Sequence, residues 1–412
     1  MKPTSPQEVV AEFVDTNCQS FYFVGGNVWE ALEVAGGLIK PPLGGSSALK
    51  IDDLFSQAQD NGLKVVRLFV GGVTPDLAVQ PQPGRFNESA FRALDSIIKA
   101  ANDHDVKLIL SLTDNWHVQD GKLGYVLWAN QTDPDTFFTN PQIIGWYKNF
   151  IHTITSRVNT QTGVPYNQEP AIFAWDLINE PRTACNVTSP NASCDASAAK
   201  SIQNWIQNVS GYLKTQDSNH MVTVGEEGFY PAGSPNVNRN PTPGTAGGDW
   251  PTKTGQDFLN NHRPATIDFA SFHLWPDNWE INDTSNAPVK GLAAASDWVN
   301  AHLSDAASLG KPAVLEEFGK DVPLPITAQG IASKRNPYFA SVFSRLNDSI
   351  THKGVLKGAA FWEWHYLPGS DIVKETIFPL PNDTTWTNII VPTAQNVVKH
   401  QPHTPVPNCV PG

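Results

Sequence analysis

Residues Ile172–Arg182 read IFAWDLINEPR, and the folding of the whole chain can be argued from that order. Ile172, Phe173, Ala174, Trp175, Leu177 and Ile178 form a nearly continuous apolar run, the pattern of a strand buried on both faces in a parallel sheet. Asn179, Glu180 and Pro181 interrupt it. Proline cannot donate to a ladder, so the strand is expected to end with Glu180 at its carboxyl tip, where α/β folds bind their ligands. Lys311–Gly319, KPAVLEEFG, ends the same way and offers a second carboxylate. One glutamate at a strand end is usually a solvated loop residue or a helix cap. Two of them, each closing a buried strand, are what glycoside hydrolysis requires: a proton donor and a nucleophile or base.

Outward from these runs the chain alternates short apolar stretches with longer amphipathic ones. The pattern predicts strands at 21–25, 65–70, 107–112, 172–180, 221–224, 268–273, 313–317 and 358–362. It predicts helices near 51–61, 88–103, 142–158, 196–215, 289–308 and 337–352. Eight such units without a composition break imply an α/β fold, a single (β/α)8 TIM barrel over residues 1–400. The long segments 113–141, 181–196, 226–258, 276–288 and 363–392 all follow strands, so they gather at the C-terminal face. Residues 401–412 form a proline-rich tail, read either as strapped down by Cys409 or as the stump of a linker.

Composition narrows the partners. A net charge of −12 and the lack of any basic run exclude the electrostatic footprint of nucleic-acid binding, and no stretch of eighteen apolar residues suggests a membrane span. The opening MKPTSPQEVV lacks a signal-peptide core, so Met1 is expected to begin a chain whose native leader has been removed. Secretion is expected from the Asn-X-Ser/Thr sequons at Asn87, Asn130, Asn186, Asn191, Asn208, Asn282, Asn347 and Asn382. No phosphate loop, HExxH or Gly-X-Ser-X-Gly elbow is present, so neither cofactor nor metal is expected.

INEPR and EEFG, with VVRLF at Val65–Phe69 and FHLW at Phe272–Trp275, resemble glycoside hydrolase family 5. The fuller set, YFVGGN at Tyr22–Asn27, DNW at Asp114–Trp116, VGEEGF at Val224–Phe229 and IDFASFHLWPDNW at Ile267–Trp279, is similar to its plant- and fungal-type endo-β-1,4-mannanases. The resemblance implies a retaining hydrolase with Glu180 as acid/base and Glu317, rather than Glu316, as nucleophile, because the family nucleophile directly precedes an aromatic-glycine pair. Strand alternation is expected to send Glu316 to the opposite side. Repulsion from an ionised Glu317 is expected to raise the pKa of Glu180. Arg67 is expected beneath the nucleophile, Asn179 at the sugar 2-hydroxyl, and His273 beside the reacting groups.

Sugar rings stack on aromatic faces, and thirteen tryptophans suit a polysaccharide cleft. Trp362 resembles the platform under the cleaved sugar, Trp275 stands where most relatives carry tyrosine, and Trp29 aligns only approximately. Trp116, Trp128, Trp250 and Trp279 are weaker candidates, Glu227 matches a position near the cleft floor, and Trp364 and His365 match no assignable pattern. In such a barrel Cys185 and Cys194 share the loop after strand four, whereas Cys18 and Cys409 lie at the bottom, so Cys18–Cys409 and Cys185–Cys194 pairs are expected. The whole reads as a secreted monomer acting on β-mannan. An exo-β-mannosidase or a transglycosylase on the same scaffold remains open, as does, more distantly, a cellulase or a non-catalytic binding barrel.

Overall fold

The computed structural model describes residues 11–402 except 16, 39–46, 71–74, 184–191, 242–248, 280–290 and 366–372, together with 406 and 409. Eight strands carry the fold: β1 (Phe23–Asn27), β2 (Val65–Phe69), β3 (Lys107–Ser111), β4 (Ile172–Asp176), β5 (Met221–Thr223), β6 (Ala270–Leu274), β7 (Ala313–Phe318) and β8 (Leu356–Phe361). They form one parallel sheet in the order β5-β4-β3-β2-β1-β8-β7-β6. Among the described residues no ladder joins β5 to β6. Asp268 N–H instead donates to Val222 O at 2.8 Å, Val222 N–H to the Asp268 carboxylate at 2.6 Å, and Gly225 N–H to Ser271 Oγ at 3.0 Å. These bonds bring the two edges together in a (β/α)8 barrel, and helices including Glu88–Asp103, Pro141–Ser156, Ala192–Gln216, Leu292–Leu309 and Asn336–His352 surround it.

Inward-pointing residues explain where the site lies. The lower layer, Phe23, Val65, Ile109, Ala174, Phe269 and Val314, is apolar and capped from below by Phe13. Two residues higher on β2, β4 and β7 stand Arg67, Asp176 and Glu316, all fully buried. The barrel is therefore oily at its floor and charged toward the C-terminal tips, as an α/β barrel with its site at the top requires.

Several boundaries differ from those read in the sequence. β1 begins and ends two residues later than expected, which places Asn27 at its tip. The β4 ladder stops at Asp176, not Glu180; residues 177–180 continue through single bonds, with Asn179 N–H on Thr113 O and Glu180 N–H on Gly225 O. Glu180 takes φ +49°, a left-handed conformation that is uncommon for a non-glycine residue and concentrates at functional sites. The segment read as loop to Pro392 turns helical at Trp386. Cys18 and Cys409 are joined, their Cα atoms 5.6 Å apart, while the Cys185–Cys194 expectation falls outside the described residues. Gln401 and Val406 bond to Tyr22 and Cys18, so the described part of the tail lies under β1. Among the described residues no helix is long and apolar enough to cross a membrane.

Candidate active site

Strand tips, turns and one buried cation assemble the site. Arg67 projects into the barrel from β2 and donates to Glu317 Oε1 at 2.5 Å, Asp176 Oδ2 at 2.7 Å, Asn179 Oδ1 at 2.9 Å and Asn27 Oδ1 at 3.1 Å. Burial works against its charge, but Asp176, Glu317 and Glu316 outweigh this and hold the guanidinium firmly protonated.

The expected alternation of Glu316 and Glu317 fails for a local reason. The β6–β7 register shifts so that Phe272 pairs with Leu315 but His273 with Glu317, leaving Glu316 as the extra residue of a bulge. Both carboxyls consequently approach Arg67, Glu316 at 3.9 Å. Only Glu317 lines the cleft; Glu316 is sealed inside the barrel, where burial lifts its pKa far above the carboxylate range.

Glu180 stands across from Glu317. Its Oε2 accepts from the indole N–H of Trp116 at 2.7 Å and its Oε1 meets His273 Nδ1 at 2.8 Å. His273 Nδ1 is also 3.5 Å from Glu317 Oε2. Ligand-type atoms of Glu180, His273 and Glu317 all lie within 4.8 Å of one another. The trio has donors suitable for a metal, but the Arg67 cation already occupies one Glu317 oxygen. Burial lowers the pKa of His273 against the opposing pull of Glu317, and its Nδ1 lies between the two carboxyls.

Burial also raises Glu180, ahead of any repulsion; the nearby charge of Arg182 and the Trp116 N–H oppose it, and Asp114 adds to it. The sequence-based account, in which Glu317 supplies the lift, is corrected to that extent. Repulsion between the two glutamates does act on Glu317, which burial raises first and His273 and Arg67 hold down.

A cleft of about 640 Å³ opens above the pair. Trp29, Trp116, Trp250, Trp275, Trp279 and Trp362 line it, and so does Glu227. Trp275 and Trp362 meet edge to face with ring centroids 6.0 Å apart, and a side chain at Gly319 would collide with the Trp275 ring. Trp29 donates to Glu363 Oε2 at 2.5 Å. Trp128 does not join the lining; it packs on Tyr125 at 4.7 Å. Trp364 is likewise core, 5.4 Å from Trp386, and His365 packs against Phe378.

Sequence reading passes over Arg182, Asp114 and His117, which all line the cleft. Arg182 is ion-paired with Glu227 and its guanidinium lies 5.1 Å from the Trp116 ring and 4.9 Å from that of Trp250. The signals are nonetheless present: Arg182 follows Glu180 by two residues in NEPR, and Asp114 opens DNW.

A barrel with two opposed carboxyls at the tips of β4 and β7, under a tryptophan-lined cleft, is the site of a glycoside hydrolase. The profile of the GH family 5 β-mannosidase-like family matches residues 8–371. Mannan endo-1,4-β-mannosidase 4 of Solanum lycopersicum is 34% identical over 84% of this chain and 80% of its own. The X-ray structure of the endo-β-1,4-mannanase from Thermotoga petrophila superposes with TM-score 0.73 at 26% identity, covering 94% of this chain and 79% of that one. The endo-1,4-β-mannanase of Rhizomucor miehei gives 0.72 at 27% identity over 92% and 96%. The chain belongs to the GH family 5 β-mannosidase-like family.

Proposed function

We propose that this chain is a secreted, monomeric endo-β-1,4-mannanase that cleaves internal bonds of mannan, glucomannan or galactomannan with retention of configuration. The observation that carries the reading is the approach of Glu180, His273 and Glu317 to within 4.8 Å under a cleft walled by tryptophans. A retaining hydrolase holds its carboxyls about 5 to 5.5 Å apart, whereas an inverting one leaves about 6.5 to 9.5 Å for a water. The names of the relatives support the endo habit and the mannan substrate.

In the first half-reaction Glu317 Oε2 attacks the anomeric carbon while Oε1 stays on Arg67. The glycosidic C–O bond breaks and its oxygen takes the proton of Glu180. Esterification removes the Glu317 charge, and with it the repulsion between the pair. Glu180, now ionised, takes a proton from a water that attacks the same carbon, breaking the ester and restoring both groups. Asn179 has one Nδ2 hydrogen left over for the sugar 2-hydroxyl. Support for secretion comes from the sequons, of which Asn130, Asn208 and Asn382 are exposed, and from the Cys18–Cys409 bond, which suits an oxidising compartment.

Product analysis on mannohexaose and carboxymethylcellulose tests the reading. Mannobiose and mannotriose from the first, nothing from the second, and loss of activity in Glu180→Ala and Glu317→Ala are the expected results. Mannose released singly from one end, or products longer than the substrate, would replace the endo habit with an exo or transglycosylating one.

A further inference from the structure

We propose that Asp114 is a positioning residue: its carboxylate locks Asn179 and Trp116 in place on either side of Glu180. The inference rests on the hydrolase reading above and extends it to a group that need not touch the substrate's reacting atoms.

Asp114 follows β3, is almost fully buried, and pairs through its backbone with Asn179 in an isolated parallel bridge. Its two oxygens have separate tasks. Oδ1 accepts from Asn179 Nδ2 at 2.8 Å. Oδ2 accepts from Trp116 N–H at 2.8 Å, His117 N–H at 2.6 Å and His117 Nδ1 at 2.6 Å.

The first contact settles the orientation of the Asn179 amide. With Arg67 donating to Asn179 Oδ1, a flipped amide would set NH2 against a guanidinium and oxygen against a carboxylate. The orientation that remains leaves one Nδ2 hydrogen for the sugar. The second set of contacts holds the backbone turn that aims the Trp116 indole at Glu180 Oε2. One carboxylate thus fixes both a substrate-facing amide and a donor to the acid.

Asparagine cannot replace it. If the side-chain oxygen in Asp114→Asn stays toward the three donors of the turn, the new NH2 faces the Asn179 NH2. The Asn179 amide must then turn away from Arg67. The charges around Asp114 are His117, Asp120 and Lys122 on its own segment, Glu180 and Arg182 beyond β4, and Arg67 from β2; Glu180 is faced in addition by Glu227 beyond β5, His273 on β6 and Glu317 on β7. Loss of the Asp114 charge removes a repulsion that raises Glu180, while Arg182 and Arg67 still lower it. The pKa of the acid therefore falls.

The test is kcat and KM on mannohexaose across pH for Asp114→Asn, with its thermal melt measured alongside. The expected result is kcat lower by about 10- to 100-fold with KM changed less than about threefold. The basic limb of the profile, where the acid loses its proton, moves to lower pH. The limb reports the lost charge; the positioning role is read in kcat at the pH optimum with an unchanged melt, which loss of charge alone or a purely structural role would leave near wild type. Should Asp114→Asn fail to fold, Asp114→Ser is measured instead, since its hydroxyl can hold the turn amides but cannot reach Asn179. Wild-type kcat at the optimum, whether or not the limb moves, or a loss confined to KM, would overturn the assignment. A wild type that leaves mannohexaose intact would fail the hydrolase reading itself, and this assignment with it.

Discussion

On the proposed mechanism, Trp116 serves both binding and chemistry. Its ring is about half exposed in the cleft, and its N–H holds the acid at 2.7 Å. A donor to a carboxylate favours the ionised form, so the bond lowers the pKa of Glu180 against the pull of burial. Trp116→Phe keeps a stacking face and removes the donor. The pKa of Glu180 should rise, and because the acid works protonated, the basic limb of kcat/KM should move to higher pH. A pH–rate profile checks this, and a shift to lower pH would refute it. At this scale Glu180 and Glu317 are legible in the sequence because each closes an apolar run. Asp114 and Arg182 stand inside the quoted motifs, but their roles are not legible there, because those roles lie in contacts with residues from other strands.

At the scale of the element, the tips of β4, β5 and β7 depart from regular strand geometry, and those departures make the site. The bulge in β7 brings Glu317 to Arg67 without turning Glu316 outward. At the tip of β5, Gly225 has φ +80°, and a Cβ there would lie 2.0 Å from Asp176 Oδ1 and 2.5 Å from Ile178 O. Only glycine lets the two chains approach so closely. Gly225→Ala should displace Asp176, one of the partners that hold Arg67, and cost about 1–3 kcal/mol of stability together with most activity. Urea unfolding and a mannohexaose assay measure the two losses, and a variant as stable and active as wild type would contradict the argument. A strand's period is visible in a sequence; a bulge is not, because it depends on hydrogen bonds made by the neighbouring strand.

At the scale of the whole molecule, the bottom of the barrel is built from contacts that do not reach the cleft. Phe13 plugs the floor against Phe173 and Phe269 at 5.0 and 5.3 Å, and Lys357, at the start of β8, is buried between Glu12 and the Tyr22 hydroxyl. The Cys18–Cys409 bond links two positions 391 residues apart in this region, far along the barrel from the cleft. A cross-link across so long a loop restricts the unfolded chain, and its removal typically costs about 2–5 kcal/mol. Cys18→Ser should lower the urea midpoint by a corresponding amount yet leave kcat and KM on mannohexaose unchanged at 25 °C. A large change in either constant would show that floor and cleft are coupled.

The sequence by itself determined the barrel, the face to which its long loops gather and the places of Glu180 and Glu317 at the ends of two strands, since all of these follow from hydrophobic period and from where each buried run stops. The family's motifs added Arg67, Asn179 and His273. Tertiary structure alone decided that Glu316 is entombed beside its neighbour, that burial does most to lift the acid, that Trp116 rather than Trp128 reaches the cleft, and that Asp114 joins the segments after β3 and β4. Each of these depends on distances between residues far apart in the chain, and on the solvent excluded when they meet.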